Sequence, residues 1–327
     1  MLPLRPNSSL ERYRIARRRN RLSIDYQDLT HTWLYAHTSK PGSLTRAAFQ
    51  LFARVRRQFL PHYFVSPPAW RVRMRQLLKD RALPDFCVIG PAKSGTSDLA
   101  ITIMSHPNVM CPLVKELAFI DPMDWRPYYP TLSAVQRHAQ RHGVALCPFV
   151  GPLLHFLDVS SRLADIRPGA KIVINLRNPV DLVFSEWKWS VLHRSKPLVD
   201  RVSFLVDFHA FVDKAIDVFP EAPSPFGNTL HYGIYASSVS HWLRHFGAQN
   251  VRVFDIAEYF RDRSVYFQRL EQFVGLPHIL LPPRLPVANR NPLDGLTPDA
   301  DACEKLRAFF APYNRDLWNV IGAVLSW

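Results

Sequence analysis

Three short runs in this 327-residue sequence hold residue types that could bind an anion and move a proton. The first is Gly90-Pro91-Ala92-Lys93-Ser94-Gly95-Thr96-Ser97. Its glycines let the backbone curl, so that successive N–H groups and the start of a following helix can face a phosphate. Lys93 adds a cation, and Thr96 and Ser97 add hydroxyl donors. The second run, Arg177-Asn178-Pro179-Val180-Asp181-Leu182-Val183-Phe184-Ser185, opens on a guanidinium that can grip a phosphate with a two-pronged fork. Ser185 could donate to the same group. The third is Lys115-Glu116-Leu117-Ala118-Phe119-Ile120-Asp121. Glu116 could accept a proton from a reacting hydroxyl, or Lys115 and Glu116 could be a solvated pair at a strand end.

These runs need elements to hold them. Asp85–Ile89 is a short apolar run suited to a buried strand, and it leads straight into Gly90. A helix is predicted over Thr96–Ser105, stopped by His106 and Pro107. Lys171–Leu176 (KIVINL) is a second buried strand, running into Arg177 and a helix through Trp189. Val251–Asp255 is a third strand, and helices are expected over Ile234–Phe246, Ser264–Val274 and Asp301–Leu325. Strands alternating with helices give a parallel sheet built from right-handed βαβ units, whose ligands bind at the carboxyl ends of the strands. Both phosphate-type runs occupy such ends. The expected architecture is an α/β domain over 81–327, a P-loop-type parallel sheet flanked by helices, preceded by a basic helical extension over 1–80.

The first run is close to the nucleotide-triphosphatase loop G-x-x-x-x-G-K-[ST], with one displacement. Thr96 stands where that lysine belongs, and Lys93 lies inside the loop. Triphosphate chemistry also uses Mg²⁺ held by a carboxylate at the end of a second strand, and here that strand runs into Arg177. A small-molecule or carbohydrate kinase is therefore the weaker of two enzymatic readings.

Pro91–Ser97 resembles the 5′-phosphosulfate motif P-x-K-[SG]-G-T-[ST] of sulfotransferases that use 3′-phosphoadenosine-5′-phosphosulfate (PAPS), particularly their carbohydrate-modifying, heparan-sulfate branch. Arg177–Ser185 resembles the same family's 3′-phosphate motif R-x-P-x-x-R-x-x-S, with Leu182 in place of the second arginine. Lys115–Asp121 is similar to its K-E-x-H-F-F-D motif, with Ala118 and Ile120 departing from it. Gly233–Phe246, Val265–Pro277 and Ala311–Asn314 are similar to later family segments, so the resemblance runs from about Leu83 to the C-terminus. It implies that Pro91, Ala92, Lys93, Ser94, Gly95, Thr96, Ser97, Arg177 and Ser185 hold PAPS. Arg290 is a weaker candidate, in a segment where the family closes a loop over the nucleotide. It also implies Glu116 as catalytic base, Lys93 as stabiliser of the bridging oxygen, and no metal. In the small-molecule branch the base is a histidine, which keeps His155, His193 and His231 open. The acceptor implied is a hydroxyl-bearing glycan, glycolipid or saccharide-like metabolite.

Composition bounds the remaining possibilities. The net charge of +14 suggests nucleic acid or a membrane until it is located. Residues 1–80 hold 16 Lys+Arg against 4 Asp+Glu, leaving 25 against 23 for the rest, so the excess belongs to the extension and not to the body. Leu44, Ala47, Ala48, Leu51, Phe52, Val55 and Phe59 recur at helical spacing among arginines. That stripe could pack on the main domain or lie on an anionic membrane or polymer, and a non-catalytic anion-binding protein is the reading such basicity would favour alone. Nucleic acid is not the expected partner. No apolar run approaches the ~20 residues that cross a bilayer, and Met1–Leu22 lacks the apolar centre of a secretory signal. Cys87, Cys111, Cys147 and Cys303 show neither metal-ligand nor disulfide spacing. A cytoplasmic location, with peripheral membrane contact through the extension, is the expectation.

Overall fold

The computed structural model describes residues 67–77, 80–115, 117, 121–193, 207–220, 229–281 and 295–327. The predicted helix over Leu44–Phe59 therefore lies outside the described residues, as do Glu116 and Arg290. Helix α1 (Ala69–Gln76) leads to strand β1 (Phe86–Ile89), helix α2 (Thr96–Met104), helix α3 (Leu132–His142) and strand β2 (Pro148–Gly151). There follow α4 (Leu157–Ile166), β3 (Lys171–Leu176), α5 (Pro179–His193), α6 (Phe208–Asp217), α7 (Ala236–Phe246), β4 (Val251–Asp255), α8 (Ile256–Arg261), α9 (Arg263–Val274) and α10 (Ala300–Ile321). The described residues divide into two compact units, one holding those up to 176 with 238–281, the other 177–237 with 295–327.

The first unit contains the sheet, in the order β2-β1-β3-β4 with every pairing parallel. Phe86, Cys87, Val88 and Ile89 are all buried, as are Ile172 through Leu176, as expected of parallel strands covered on both faces, with Asn175 as the one polar side chain among them. Burial also pushes the Cys87 thiol up out of the range in which it would ionise. Asp85 ties the strand starts together: its carboxylate accepts from the Cys147 N–H at 2.8 Å, and its carbonyl from the Lys171 N–H at 3.0 Å. Beneath the sheet, Leu99, Ile103, Tyr259, Tyr266, Phe267 and Leu270 form one core cluster with the strand residues Phe86, Val88 and Val173.

In the second unit, Val183, Trp187, Phe211, Val212, Leu306 and Phe310 pack α5, α6 and α10 into an all-helical core. Strand β2 is absent from the strands expected from sequence, and its four residues begin with Pro148 and end with Gly151, both of low strand preference. It pairs with β1 throughout, where a proline at the first position of an outer strand is tolerated. After α2, Val109 makes one isolated parallel bridge, to Leu146. Helix α10 stops four residues before the expected end, at Gly322 with φ 64°, a left-handed terminus that glycine adopts without strain.

Candidate active site

Strand β1 ends at Ile89, and the Gly90–Ser97 run forms a tight loop that enters α2 at Thr96. Two residues in it have left-handed backbone: Gly95 at φ 71°, and Lys93, the one non-glycine residue with positive φ among those described, at φ 65°. Such a lysine is strained by about 1–3 kcal/mol and persists only where its surroundings over-determine it. Ser94, between the two, is fully buried. Its hydroxyl donates to the Pro91 carbonyl at 2.8 Å. A Cβ on Gly90 would lie 2.4 Å from the carbonyl oxygen of Asn175 and 2.4 Å from Ser94 Oγ, so only glycine fits there.

Residues distant in sequence hold this loop. Asn175, fully buried in β3, donates through Nδ2 to the Ser94 carbonyl at 3.4 Å. Its Oδ1 accepts from the Tyr266 hydroxyl at 2.9 Å. One turn into α2, Asp98 accepts from the Tyr259 hydroxyl at 2.8 Å, and that hydroxyl shares a further bond with Thr102 at 2.9 Å. The two tyrosine rings meet edge to face, 5.3 Å apart. Burial raises both phenols above their ordinary range, so each keeps the proton that it donates. None of Asn175, Asp98, Tyr259 or Tyr266 was singled out by sequence. The one available signal was an amide in the middle of the apolar strand KIVINL.

The opposite flank of the loop is set by the turn after β2. The Leu154 N–H donates to the Gly90 carbonyl at 3.3 Å. The next residue, His155, bonds through Nδ1 to Ser238 Oγ at 3.0 Å. His231 has its Nε2 2.9 Å from the Pro220 carbonyl and its ring 4.8 Å from that of Phe219, and the side chain of His193 lies outside the described residues.

The first-turn N–H groups of α2 have no carbonyl within their helix to meet. Together with the Thr96 and Ser97 hydroxyls and the Lys93 ammonium they make a donor set suited to a phosphate or sulfate ester. Lys115 is 1% exposed, so it is not half of a solvated surface pair. Asp121, at the end of that run, accepts from the Met123 N–H and pairs with Arg162.

Arg177 directly follows β3, and with Ser185 it belongs to the second unit. Asn178 caps α5: its Oδ1 accepts from the Val180 N–H at 2.9 Å and its carbonyl from the Leu182 N–H at 2.9 Å. Pro179 fills the first helical position, where its missing N–H costs nothing. The Arg177 carbonyl accepts from the Tyr235 hydroxyl at 2.8 Å. In the same unit, His209, Asp299 and Asp301 place ligand-type atoms within 4.8 Å of one another. That exposed cluster is accounted for by the α10 cap, since Asp299 accepts from the Ala302 N–H and from His209.

Heparan sulfate glucosamine 3-O-sulfotransferase 5 of Homo sapiens is 23% identical over 321 residues, covering 88% of this chain and 86% of that protein. Bifunctional heparan sulfate N-deacetylase/N-sulfotransferase 4 of Mus musculus is 22% identical over 270 residues, covering 78% of this chain. The chain spans 23–30% of the length of the bifunctional relatives that it matches. A solved sulfotransferase from Alicyclobacillus acidocaldarius aligns with TM-score 0.55 and 26% identity, over 75% of this chain and 98% of that one. The sulfotransferase domain model matches residues 83–280, which contain β1 to β4, the Gly90–Ser97 loop and Arg177, and the chain belongs to that family.

Proposed function

We propose that this protein transfers the sulfuryl group of PAPS to a hydroxyl of a carbohydrate or saccharide-like acceptor. The observation that carries the reading is Lys93, held at φ 65° inside the loop where a triphosphatase would have its lysine after Gly95. The acceptor oxygen attacks sulfur in line, the bond from sulfur to the bridging oxygen breaks, and adenosine 3′,5′-bisphosphate leaves. Glu116 takes the acceptor proton. Lys93 neutralises the charge that grows on the bridging oxygen, while the α2 N-terminus, Thr96 and Ser97 hold the 5′-phosphate. Arg177 and Ser185 receive the 3′-phosphate, with Arg290 as a further contact. Positioning and electrostatic stabilisation supply most of the acceleration. The heparan sulfate relatives support a glycan as acceptor.

The test is transfer from labelled PAPS to a panel of glycans, glycolipids and saccharides. Glu116→Gln should lower transfer about 10²–10⁴-fold with donor affinity near wild type. Lys93→Ala should raise the donor KM as well as lower kcat, because its charge acts on bound donor and more strongly on the transition state. Normal turnover in Glu116→Gln sends the base assignment to the histidines, and normal turnover in Lys93→Ala defeats the sulfuryl-transfer reading.

We also propose that the basic extension meets an anionic membrane surface. Trp70, Met74 and Leu77 recur at helical spacing along and just beyond α1, exposed by 48%, 61% and 80%, with Arg73 beside them. The opposite side of the helix is engaged, since Arg75 donates to the carbonyls of Pro127 and Tyr129. An apolar stripe edged by arginines suits the headgroup boundary of an anionic bilayer. Cosedimentation with phosphatidylserine vesicles should fall several-fold in the double variant Trp70→Ser, Met74→Ser. Equal binding to neutral and anionic vesicles would defeat this second reading.

A further inference from the structure

We propose that Tyr266 and Asn175 are positioning residues for the donor, acting as a relay that aims the Gly95 N–H at the 5′-phosphosulfate; this rests on the PAPS reading above. Asn175 is a fully buried amide in a strand whose other residues from Ile172 to Leu176 are buried and apolar. An apolar side chain would serve the sheet alone, and burying an amide costs free energy unless it is bonded. Both ends of this amide are used: Nδ2 on the Ser94 carbonyl at 3.4 Å, Oδ1 on the Tyr266 hydroxyl at 2.9 Å.

The chain of bonds has a direction. The Tyr266 hydroxyl has one proton and gives it to Oδ1, which turns the Nδ2 hydrogens toward the loop. A reversed amide would set two oxygens against each other at Ser94. In a planar trans peptide the C=O and N–H point opposite ways. Drawing the Ser94 carbonyl toward β3 therefore sends the N–H of the next residue, Gly95, away from β3. That peptide lies between the two left-handed residues of the loop, Lys93 and Gly95, where backbone direction is least fixed by local preference. Tyr266 comes from α9, about 170 positions beyond Ser94, so the relay carries the packing of the α9 core into the direction of one donor.

The relay predicts a selective defect. The affinities of adenosine 3′,5′-bisphosphate and adenosine 3′-phosphate, measured calorimetrically, give a ratio that reports the worth of the 5′-phosphate contacts alone. Asn175→Leu should lower this ratio about tenfold and Tyr266→Phe several-fold. Leu270→Val, also in the α9 core but outside the relay, should lower the melting temperature and leave the ratio unchanged. If Asn175→Leu does not fold, Tyr266→Phe, which removes a single oxygen, decides alone. A wild-type ratio well above one that neither variant changes overturns the relay and leaves the PAPS reading standing. A wild-type ratio near one defeats the donor assignment itself, and the relay with it.

Discussion

The two runs proposed to bind the donor are built in opposite ways. Arg177–Ser185 is built largely locally: Asn178 caps the helix it precedes and Pro179 starts it, with the Tyr235 hydroxyl on the Arg177 carbonyl as a long-range contact. Gly90–Ser97 depends on residues brought from elsewhere: Asn175 in β3, Tyr259 in α8, Tyr266 in α9 and the Leu154 N–H after β2. The difference follows from backbone cost. A capped helix start lies in ordinary φ/ψ space, whereas a loop with left-handed residues on either side of a buried serine must be held by contacts that offset its strain. One half of the pair thus forms largely from short-range preference, and the other only once the sheet is assembled.

Substitutions in the two halves should differ in kind. The largest effect is expected from Gly90→Ala, whose added carbon would lie 2.4 Å from the backbone oxygen of Asn175. The neighbour is backbone in a central strand and cannot give way, so the loop must. Loss of more than about 100-fold in affinity for adenosine 3′,5′-bisphosphate and a destabilisation of about 1–3 kcal/mol should appear by calorimetry and thermal melting. Near-normal binding would show that the loop tolerates a different path. Arg177→Ala should come next. A charge-assisted contact is worth about 1.5–3 kcal/mol, so affinity for adenosine 3′,5′-bisphosphate should fall roughly 10–100-fold while that for adenosine 5′-phosphate changes little. Equal losses for both nucleotides would remove Arg177 from the 3′-phosphate. Asn178→Ala should be the mildest. Loss of a helix cap costs about 0.5–2 kcal/mol, read as a few degrees in melting temperature, with nucleotide affinity within about twofold of wild type. A large affinity loss there would mean that the second run is as dependent on tertiary context as the first, and the contrast would collapse.

How much the sequence disclosed follows the same division. Strands β1 and β3 were legible because strands buried on both faces are largely apolar runs, and DFCVI and KIVINL are such runs, whereas β4 (VRVFD), with Arg252 exposed, was legible from its valines and phenylalanine. The Arg177–Ser185 junction was legible because Pro at a helix start carries its own conformational meaning. Strand β2 was hidden by Pro148 and Gly151, whose local preference is overridden by pairing with β1. The buried state of Lys115 was also hidden, since no local pattern separates a lysine in a site from one in solvent.

By itself the sequence determined the parallel α/β class, the displaced lysine, and the two phosphate-type runs at strand ends, because glycine spacing, apolar runs and capping act over a few residues. Only the tertiary structure decided that Lys93 adopts a left-handed backbone, that Gly90 has no room for a methyl group, and that Asn175 and Tyr266 turn the Ser94 carbonyl aside. Those facts depend on which side chains meet when β3 lies beside β1 and α9 packs beneath them. Contacts between residues some 80 to 90 positions apart leave no periodicity in the chain from which they could be read.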